Sequence, residues 1–534
     1  MKYKKFFLLP LTLLISSCNV QTNQYIDENK YPNDKYLLGE YGDFVTSIDG
    51  SMSSKQLKRK YQEMCEVETI TKEDIYEESY QKGLKDFFDI ENKIDITMHT
   101  SNYELYKINQ YHFKGNEESY RVCDLDIQIN NLLFHYEDVG FRLKGNTSRG
   151  IVLNNDDSIN QRHYKLCFNE TFDDEFREGT HSFKGENEKN YREERTFFGL
   201  EKLDIRWNKN QESTHIREYY AYEIYRDLNN LAPKTNPFHF TMNLGGENIN
   251  SGIYLAVEPI DKDFLKRNLK EDFTSGDLYK LGWAQTPARL DSTDSSLFGV
   301  EKQYKYGDYF YTEKFVYDLK TNKKKSKHQD IKNFIDKIIT TPTNSFDSMV
   351  KQYTNYESFI NYLAISYLLG DPDDLRGNYN NTYLYFYTDG ESTKAYFIPT
   401  DHDRVLGQTG GGGNPTGHHG SLNKPFDNNT GYNNINDTPL FTKSIFCNGN
   451  ENIQNDYLKA INNVIEKDWF EIDTFDKYFN IAKDHYNEYT TLSERITNND
   501  VLFSLKEDDN VNGEWNLSVD VYMENKKYTF LYNK

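Results

Sequence analysis

Between residues 94 and 257, apolar side chains fall at every second position in one short run after another, and this alternation constrains the fold most. Ile94/Ile96/Met98, Leu125/Ile127/Ile129 and Val139/Phe141/Leu143 come first. His163–Phe168, Leu203/Ile205/Trp207, Phe238/Phe240/Met242 and Ile253/Leu255/Val257 follow. Successive side chains of a strand point to opposite faces, so each run predicts a strand with one buried face. The last two flank Gly245-Gly246 and predict a hairpin that delivers Glu258-Pro259. In His163–Phe168 the alternation sets Lys165 opposite Tyr164, Leu166 and Phe168, facing a cleft or solvent.

Helical spacing appears within and after this block. Ile216, Tyr220, Ile224 and Leu228 recur every four residues, which predicts a helix from Ser213, as N-cap, to about Asn229. Arg217 and Glu218 fall in its first turn. A short helix is expected over Asp261–Leu269 with Phe264 and Leu265 inward, and a strand over Gly276-Asp277-Leu278-Tyr279-Lys280. Residues 320 to 370 read as helical, with Lys323-Lys324-Lys325 as a solvated face. Tyr383/Tyr385/Tyr387 and Ala395/Phe397/Pro399 predict a hairpin around Asp389-Gly390. Residues 407–439 are rich in Gly, Asn and Thr and predict a long loop, with His418-His419 as loop residues rather than ligands. Helix returns from Leu440 to about 495, and 500–534 are expected to add a few strands. The class is α+β.

The N-terminus predicts an address. Lys2, Lys4 and Lys5 precede an apolar run, Phe6–Ile15, too short to span a membrane, and Leu14-Ile15-Ser16-Ser17-Cys18 resembles a bacterial lipobox. Residues 1–17 are therefore expected to be a lipoprotein signal, Cys18 the lipidated residue, and the mature protein extracytoplasmic and lipid-anchored to a bacterial membrane. Residues 18–50 read as a flexible tether and 51–93 as an N-terminal extension with weakly packed helix. A main domain over 94–470 and a C-terminal extension over 471–534 complete the division. A net charge of −21 repels phosphate backbones, which argues against nucleic acid as a partner while leaving room for a locally basic pocket. Cys65, Cys123, Cys167 and Cys447 form no zinc pattern, and their pairing is open.

Two acid clusters carry the chemistry. Asp371-Pro372-Asp373-Asp374-Leu375-Arg376-Gly377-Asn378 is an acidic turn ending in an amide, and Tyr396-Phe-Ile-Pro-Thr-Asp401-His402-Asp403 ends a strand in two carboxylates. Acids at the ends of neighbouring elements suit a divalent metal that holds a polyphosphate. Calcium is the milder rival, lacking a glutamate at EF-hand spacing. Arg142-Leu143-Lys144-Gly145-Asn146-Thr147-Ser148-Arg149-Gly150 combines cations, hydroxyls and glycines in a turn whose N–H groups suit phosphate; alone it equally describes a solvated hairpin turn.

Five motifs occur in order: Arg142-x-Lys144-Gly145-Asn146-Thr147-Ser148, the Arg217-Glu218 helix, Gly252-Ile253-Tyr254-Leu255-x-Val257-Glu258, Gly276–Lys280, and Pro399-x-Asp401-x-Asp403-x-x-x-Gly407. Together they resemble the CotH family of atypical protein kinases over about residues 125–465. The resemblance implies a diverged protein-kinase-like fold, with a strand-rich N-lobe, a helix-rich C-lobe and the nucleotide site between them. It also implies transfer from ATP, with Mg²⁺ or Mn²⁺, to serine on a partner protein. Asp373 and Asn378 have the Asp-x4-Asn spacing of a kinase catalytic loop, which makes Asp373 the expected base, with Asp374 as its neighbour in register. Asn378 or Asn381, with Asp401 and Asp403, would hold metal. Lys165 would clamp phosphates and pair with Glu218, while Lys144 and Gly145, Asn146, Thr147 and Ser148 cover them. Glu258-Pro259 stands where a hinge would bind adenine through its backbone. The rival readings are a membrane-anchored lipoprotein that binds an extracellular partner without catalysis, and a kinase of a small molecule or glycan.

Overall fold

A computed structural model describes residues 78–130, 132–146, 148–172, 193, 195–269, 271–282, 284, 286–390, 392–408, 423–427, 438–446, 448–506 and 517–532. The expected signal, Cys18, the tether, Thr147, Cys65, Cys447 and the His418-His419 pair lie outside them. Among the described residues no helix is long and apolar enough to cross a membrane. Cys123 and Cys167 are both buried free thiols.

The alternating runs close into a barrel. Its strands are β1 (Ile94–Thr100), β2 (Arg121–Ile129), β3 (Leu132–Leu143), β4 (Tyr164–Cys167), β5 (Lys202–Trp207), β6 (Thr235–Leu244) and β7 (Glu247–Val257), in the order β1-β2-β3-β4-β5-β7-β6. Neighbours are antiparallel except β1 and β6, whose parallel pairing sets Ile96 beside Phe240 and closes the ring. Inward positions such as Ile96, Leu125, Phe141, Leu166, Ile205 and Phe240 fill the interior. Closure leaves no bare strand edge. Gly245 and Gly246, both at positive φ (61° and 97°), make the tight β6–β7 turn that right-handed strand twist favours.

Helices α1 (Glu78–Phe87) and α2 (Asn102–Lys114) flank the barrel, and α3 (Arg217–Asp227) and α4 (Lys262–Asn268) follow its later strands. No apolar spacing announces α2, whose buried face mixes Leu105 and Ile108 with Glu104, Tyr106, Asn109 and Tyr111. Helix α3 starts four residues later than expected. His215 sits at φ 59°, Ser213 bonds to the carbonyl of Ser504 instead of capping, and Glu212 accepts from the Thr214 and Arg217 amides.

The second half is built on a five-stranded sheet in the order β14-β13-β8-β12-β9. These are β8 (Asp277–Leu281), β9 (Phe298–Gly299), β12 (Tyr317–Leu319), β13 (Thr382–Asp389) and β14 (Ser392–Pro399); a separate ribbon pairs β10 (Lys302–Tyr306) with β11 (Tyr309–Glu313). Around the sheet pack α5 (Gln329–Thr340), α6 (Phe346–Tyr353), α7 (Tyr356–Leu369), α8 (Leu375–Asn378), α9 (Pro439–Ser444), α10 (Glu451–Glu466), α11 (Ile472–Tyr486) and α12 (Val519–Leu531). The strands expected after residue 500 are thus replaced by α12, with Val519, Tyr522, Met523, Lys526 and Phe530 buried at helical spacing. One core takes in the outer face of β7 (Ile253, Leu255, Val257), α3, α7 and α10 to α12, so it runs without a break across residue 470. Across residue 93 the barrel core likewise continues into Leu84, Phe87 and Phe88. The result is a mixed α+β architecture with a barrel half and a helical half joined through α3.

Candidate active site

The charged faces of the two sheets oppose one another. On the barrel, a cross-strand row runs Arg142–Lys165–Asp204–Val257 along β3, β4, β5 and β7. On the helical half, Asp318–Lys280–Tyr383–Ile398 runs across β12, β8, β13 and β14. Tyr279, Leu281 and Leu384 point to the opposite face, into the main core. Lys144 and Lys165 share one carboxylate: their ammonium groups lie 2.6 and 3.0 Å from Asp204. Burial pushes the Asp204 carboxyl up, but the two lysines hold it well below the usual range; burial also pushes Lys165 down against the pull of Asp204.

Helix α3 grips the Asp401–Gly407 segment from two sides. Arg217, fully buried, donates to the carbonyls of Leu406 and Leu517, each at 3.0 Å. Glu218 accepts from the His402 amide at 3.2 Å and from Arg206 at 2.5 Å. The Arg206 guanidinium also bonds Asp401 and lies 4.0 Å from Asp403, so both carboxylates meet one cation. Between them His402 turns inward, shares a 2.9 Å hydrogen bond with Asp371 and stacks on Tyr225 at 5.2 Å. Asp401 has φ 64° and its amide donates to the Tyr222 hydroxyl at 2.8 Å. Although burial opposes it, Arg206 and Lys144 hold the Asp401 carboxyl below its ordinary range, while burial and Asp401 together raise Asp403.

The acid turn meets this segment edge on, through a hydrogen bond from the Thr400 amide to the Asn381 carbonyl at 3.1 Å. Asp373 is ringed by amides: Asn378 donates to one oxygen at 2.6 Å and Asn381 to the other at 3.1 Å, with Asn380 at 3.4 Å. Burial first, then the charges of Asp401 and Asp403, raise its carboxyl to about 6 against the Asn378 bond. Asp374 points the other way. It is fully buried, caps α8 through the Gly377 amide at 2.7 Å and takes the Ser366 hydroxyl on its second oxygen. Tyr379 (φ 57°), Asn381 (φ 47°) and Asp401 crowd the rare left-handed region here; backbone strain of this kind collects at functional sites.

Gly377 holds the turn closed. A Cβ there would sit 2.6 Å from the Pro372 carbonyl oxygen and 2.9 Å from that of Asp371. Gly377→Ala is therefore expected to cost about 1–3 kcal/mol in thermal denaturation by forcing the backbone apart. A variant that melts with the wild type would show that the turn yields freely.

The expected pairing of Lys165 with Glu218 does not occur: Arg206, one strand nearer, takes the glutamate, and Lys165 has Asp204. In the loop after β3, Gly145 (φ 99°) leaves no room for a side chain, Ser148 donates back to the Lys144 carbonyl, and the Asn146 amide oxygen accepts from Lys314. Glu258 is buried and closed, accepting from Arg267 at 2.8 Å and the Lys234 amide at 3.1 Å. Any contact with a ligand at that position is left to the backbone.

A family model described as CotH kinase protein matches residues 141–499. The chain belongs to the CotH kinase family. Comparison with curated proteins returns no match. The CotH match begins in the last strand turn of β3 and takes in every site element described above, leaving β1, β2 and α12 outside it.

The metal expected of a CotH kinase can be tested against the donors. No group of three or more His, Cys, Asp and Glu side chains among the described residues is gathered to hold a cation alone. Mg²⁺, which keeps waters and takes one or two carboxylates plus phosphate oxygens, would not need such a group. Asp401 and Asp403 would provide the carboxylates, and Asn381, with its side-chain nitrogen on Asp373, could offer its side-chain oxygen to a cation. Arg206 and Asp204 belong to the site and were not singled out from sequence, whereas Asp371, His402 and Lys280 stood there only within longer motifs. The signal for the first two was there: in Leu203/Ile205 alternation, Asp204 and Arg206 must share the face that Lys165 occupies on β4.

Proposed function

We propose that this CotH-family chain is an atypical protein kinase with a diverged kinase-like fold, in which the barrel half and the helical half hold ATP with Mg²⁺ or Mn²⁺ and phosphorylate serine on a partner protein. The observation that carries this reading is the edge-to-edge meeting of two loops. One presents Asp373 within a ring of amides, the other presents Asp401 and Asp403 on a shared guanidinium, and Lys165 of the barrel row shares Asp204 with Lys144, just past β3.

Phosphoryl transfer needs alignment and charge neutralisation more than covalent help. Asp373 orients the acceptor hydroxyl and takes its proton as the new O–P bond forms and the bond to the β-phosphate bridging oxygen breaks, releasing ADP. Asp374, with both oxygens engaged, is unsuited to that role. Asp401, Asp403, Asn378 and Asn381 are the residues to hold the divalent cation, which when bound neutralises phosphate oxygens. Lys144, Lys165 and the Gly145–Ser148 loop bind phosphates, and the backbone beyond Glu258 lies beside the adenine. Glu218 acts through Arg206, orienting Asp401.

Purified residues 19–534 should bind ATP only with Mg²⁺ or Mn²⁺ and pass ³²P from γ-labelled ATP to serine in a protein acceptor. Nucleotide binding that is absent, or indifferent to metal, would leave a non-catalytic surface lipoprotein as the reading. The lipobox-like Leu14–Cys18 run supports a chain held on the outer side of a bacterial membrane through Cys18. On that basis Cys18→Ala should move the protein from the membrane fraction to the soluble one; retention at the membrane would refute the anchor.

A further inference from the structure

Lys280 stands apart from the other cations of the cleft. Lys144 and Lys165 share Asp204, Arg206 bridges Glu218 and Asp401, and Lys320 pairs with Asp318 and, at 3.6 Å, with Glu301. The ammonium of Lys280 makes no hydrogen bond or ion pair among the described residues, and solvent reaches its side chain. Yet it is no loose surface lysine. It sits on β8, the middle strand of its sheet, with Asp318 on one side and Tyr383 on the other, its face turned from the main core. The charges that act on it are Lys320 just past β12, Lys144 of the barrel, Asp401 of the acid segment and Glu301. Desolvation by the surrounding protein and the two lysines pull its pKa down to about 8 against the two carboxylates, although its side chain stays open to solvent.

A solvent-exposed ammonium on the middle strand of a sheet, without an ion pair among the described residues and in the field of Lys144, Lys320 and the Asp401 carboxylate, is an arrangement that lacks an anion. We propose that Lys280 binds the β- and γ-phosphates of the nucleotide from the helical half, opposite Lys144, so that the polyphosphate is held between a cation of each half. This rests on the kinase reading above and adds to it a phosphate ligand outside the barrel.

The test compares MgATP with AMP, by calorimetry, on wild type, Lys280→Met and Lys280→Arg. Loss of a charge-assisted phosphate contact should weaken MgATP binding to Lys280→Met by about 10- to 100-fold. AMP, which lacks those phosphates, should bind all three proteins alike, and Lys280→Arg should recover most of the MgATP affinity. Unchanged MgATP affinity in Lys280→Met would overturn the proposal, and so would equal losses for MgATP and AMP, the mark of a merely structural residue. Failure of the wild type to bind MgATP would instead sink the kinase reading itself, and this inference with it.

Discussion

Asp373→Asn should reduce phosphoryl transfer by roughly 10²- to 10⁴-fold, the usual worth of a positioned general base, while leaving MgATP binding in place. The substitution keeps the shape of the side chain. Its remaining oxygen can still accept from Asn378, while the bond from Asn381 is lost and the Asn381 oxygen stays where it was. The main loss is the ability to take a proton. The pH profile supplies the second readout. A base must be ionised, so transfer should rise with pH through the Asp373 pKa, raised to about 6 by burial and by the charges of Asp401 and Asp403. A cation beside those two carboxylates offsets their charge, which sets the acid limb at or below that value. For stability the sign is opposite. A carboxyl whose pKa is raised by folding destabilises the native state progressively as pH rises through that pKa, so above it Asp373→Asn should melt no lower than wild type. An acid limb that survives in the variant would assign the base elsewhere.

The second large effect is expected at Arg206. Arg206→Met removes the only guanidinium that joins β5 to both Glu218 and Asp401 among the described contacts. Stranding a buried partner typically costs about 3–5 kcal/mol. Here the cost should fall near the lower end, about 3 kcal/mol, because burial already raises the Glu218 carboxyl despite Arg206, and without the arginine it can take a proton and become neutral. Transfer should be lost beyond what unfolding explains, since Asp401 and the His402 amide are both held through this group and through Glu218. Arg206→Lys should fold better yet still transfer poorly. A single ammonium cannot reproduce the fork that spans two carboxylates. Melting curves and labelling rates on the two variants separate the contributions; wild-type transfer by Arg206→Lys would reduce Arg206 to a structural cation.

The barrel strands were legible because their buried face is made of aliphatic and aromatic side chains at strict alternation, as in Ile94/Ile96/Met98. Helix α2 was not, because Glu104 and Asn109 occupy its buried face, and Glu104 is satisfied there by Arg121, at 2.5 Å. Residues 519–531 misled for a different reason. Val519/Val521 and Tyr528/Phe530 alternate locally, but Val521 and Tyr528 are exposed, and the seat offered by the main core fits the helical stripe instead. At the site, local spacing identified the acids of both loops. The partner of Glu218 was decided by β5, a strand pairing that no local spacing reports. The inward turn of His402 depends likewise on Tyr222, Tyr225 and Asp371 closing around it.

The C-terminal helix bears on when such a protein becomes competent during its own synthesis. Residues 141–499 carry the whole family match. Yet Arg217 finds one of its two carbonyls on Leu517, the Leu517 amide bonds the Gly407 carbonyl, and Tyr522 bonds the carbonyl of Leu368, three residues before the acid turn opens at Asp371. A ribosome that has just passed residue 499 has therefore made every acid of the site without the strap that seats both loops. On the kinase reading proposed above, a chain that ends at residue 499 is expected to carry the full signature of its family and to transfer no phosphate.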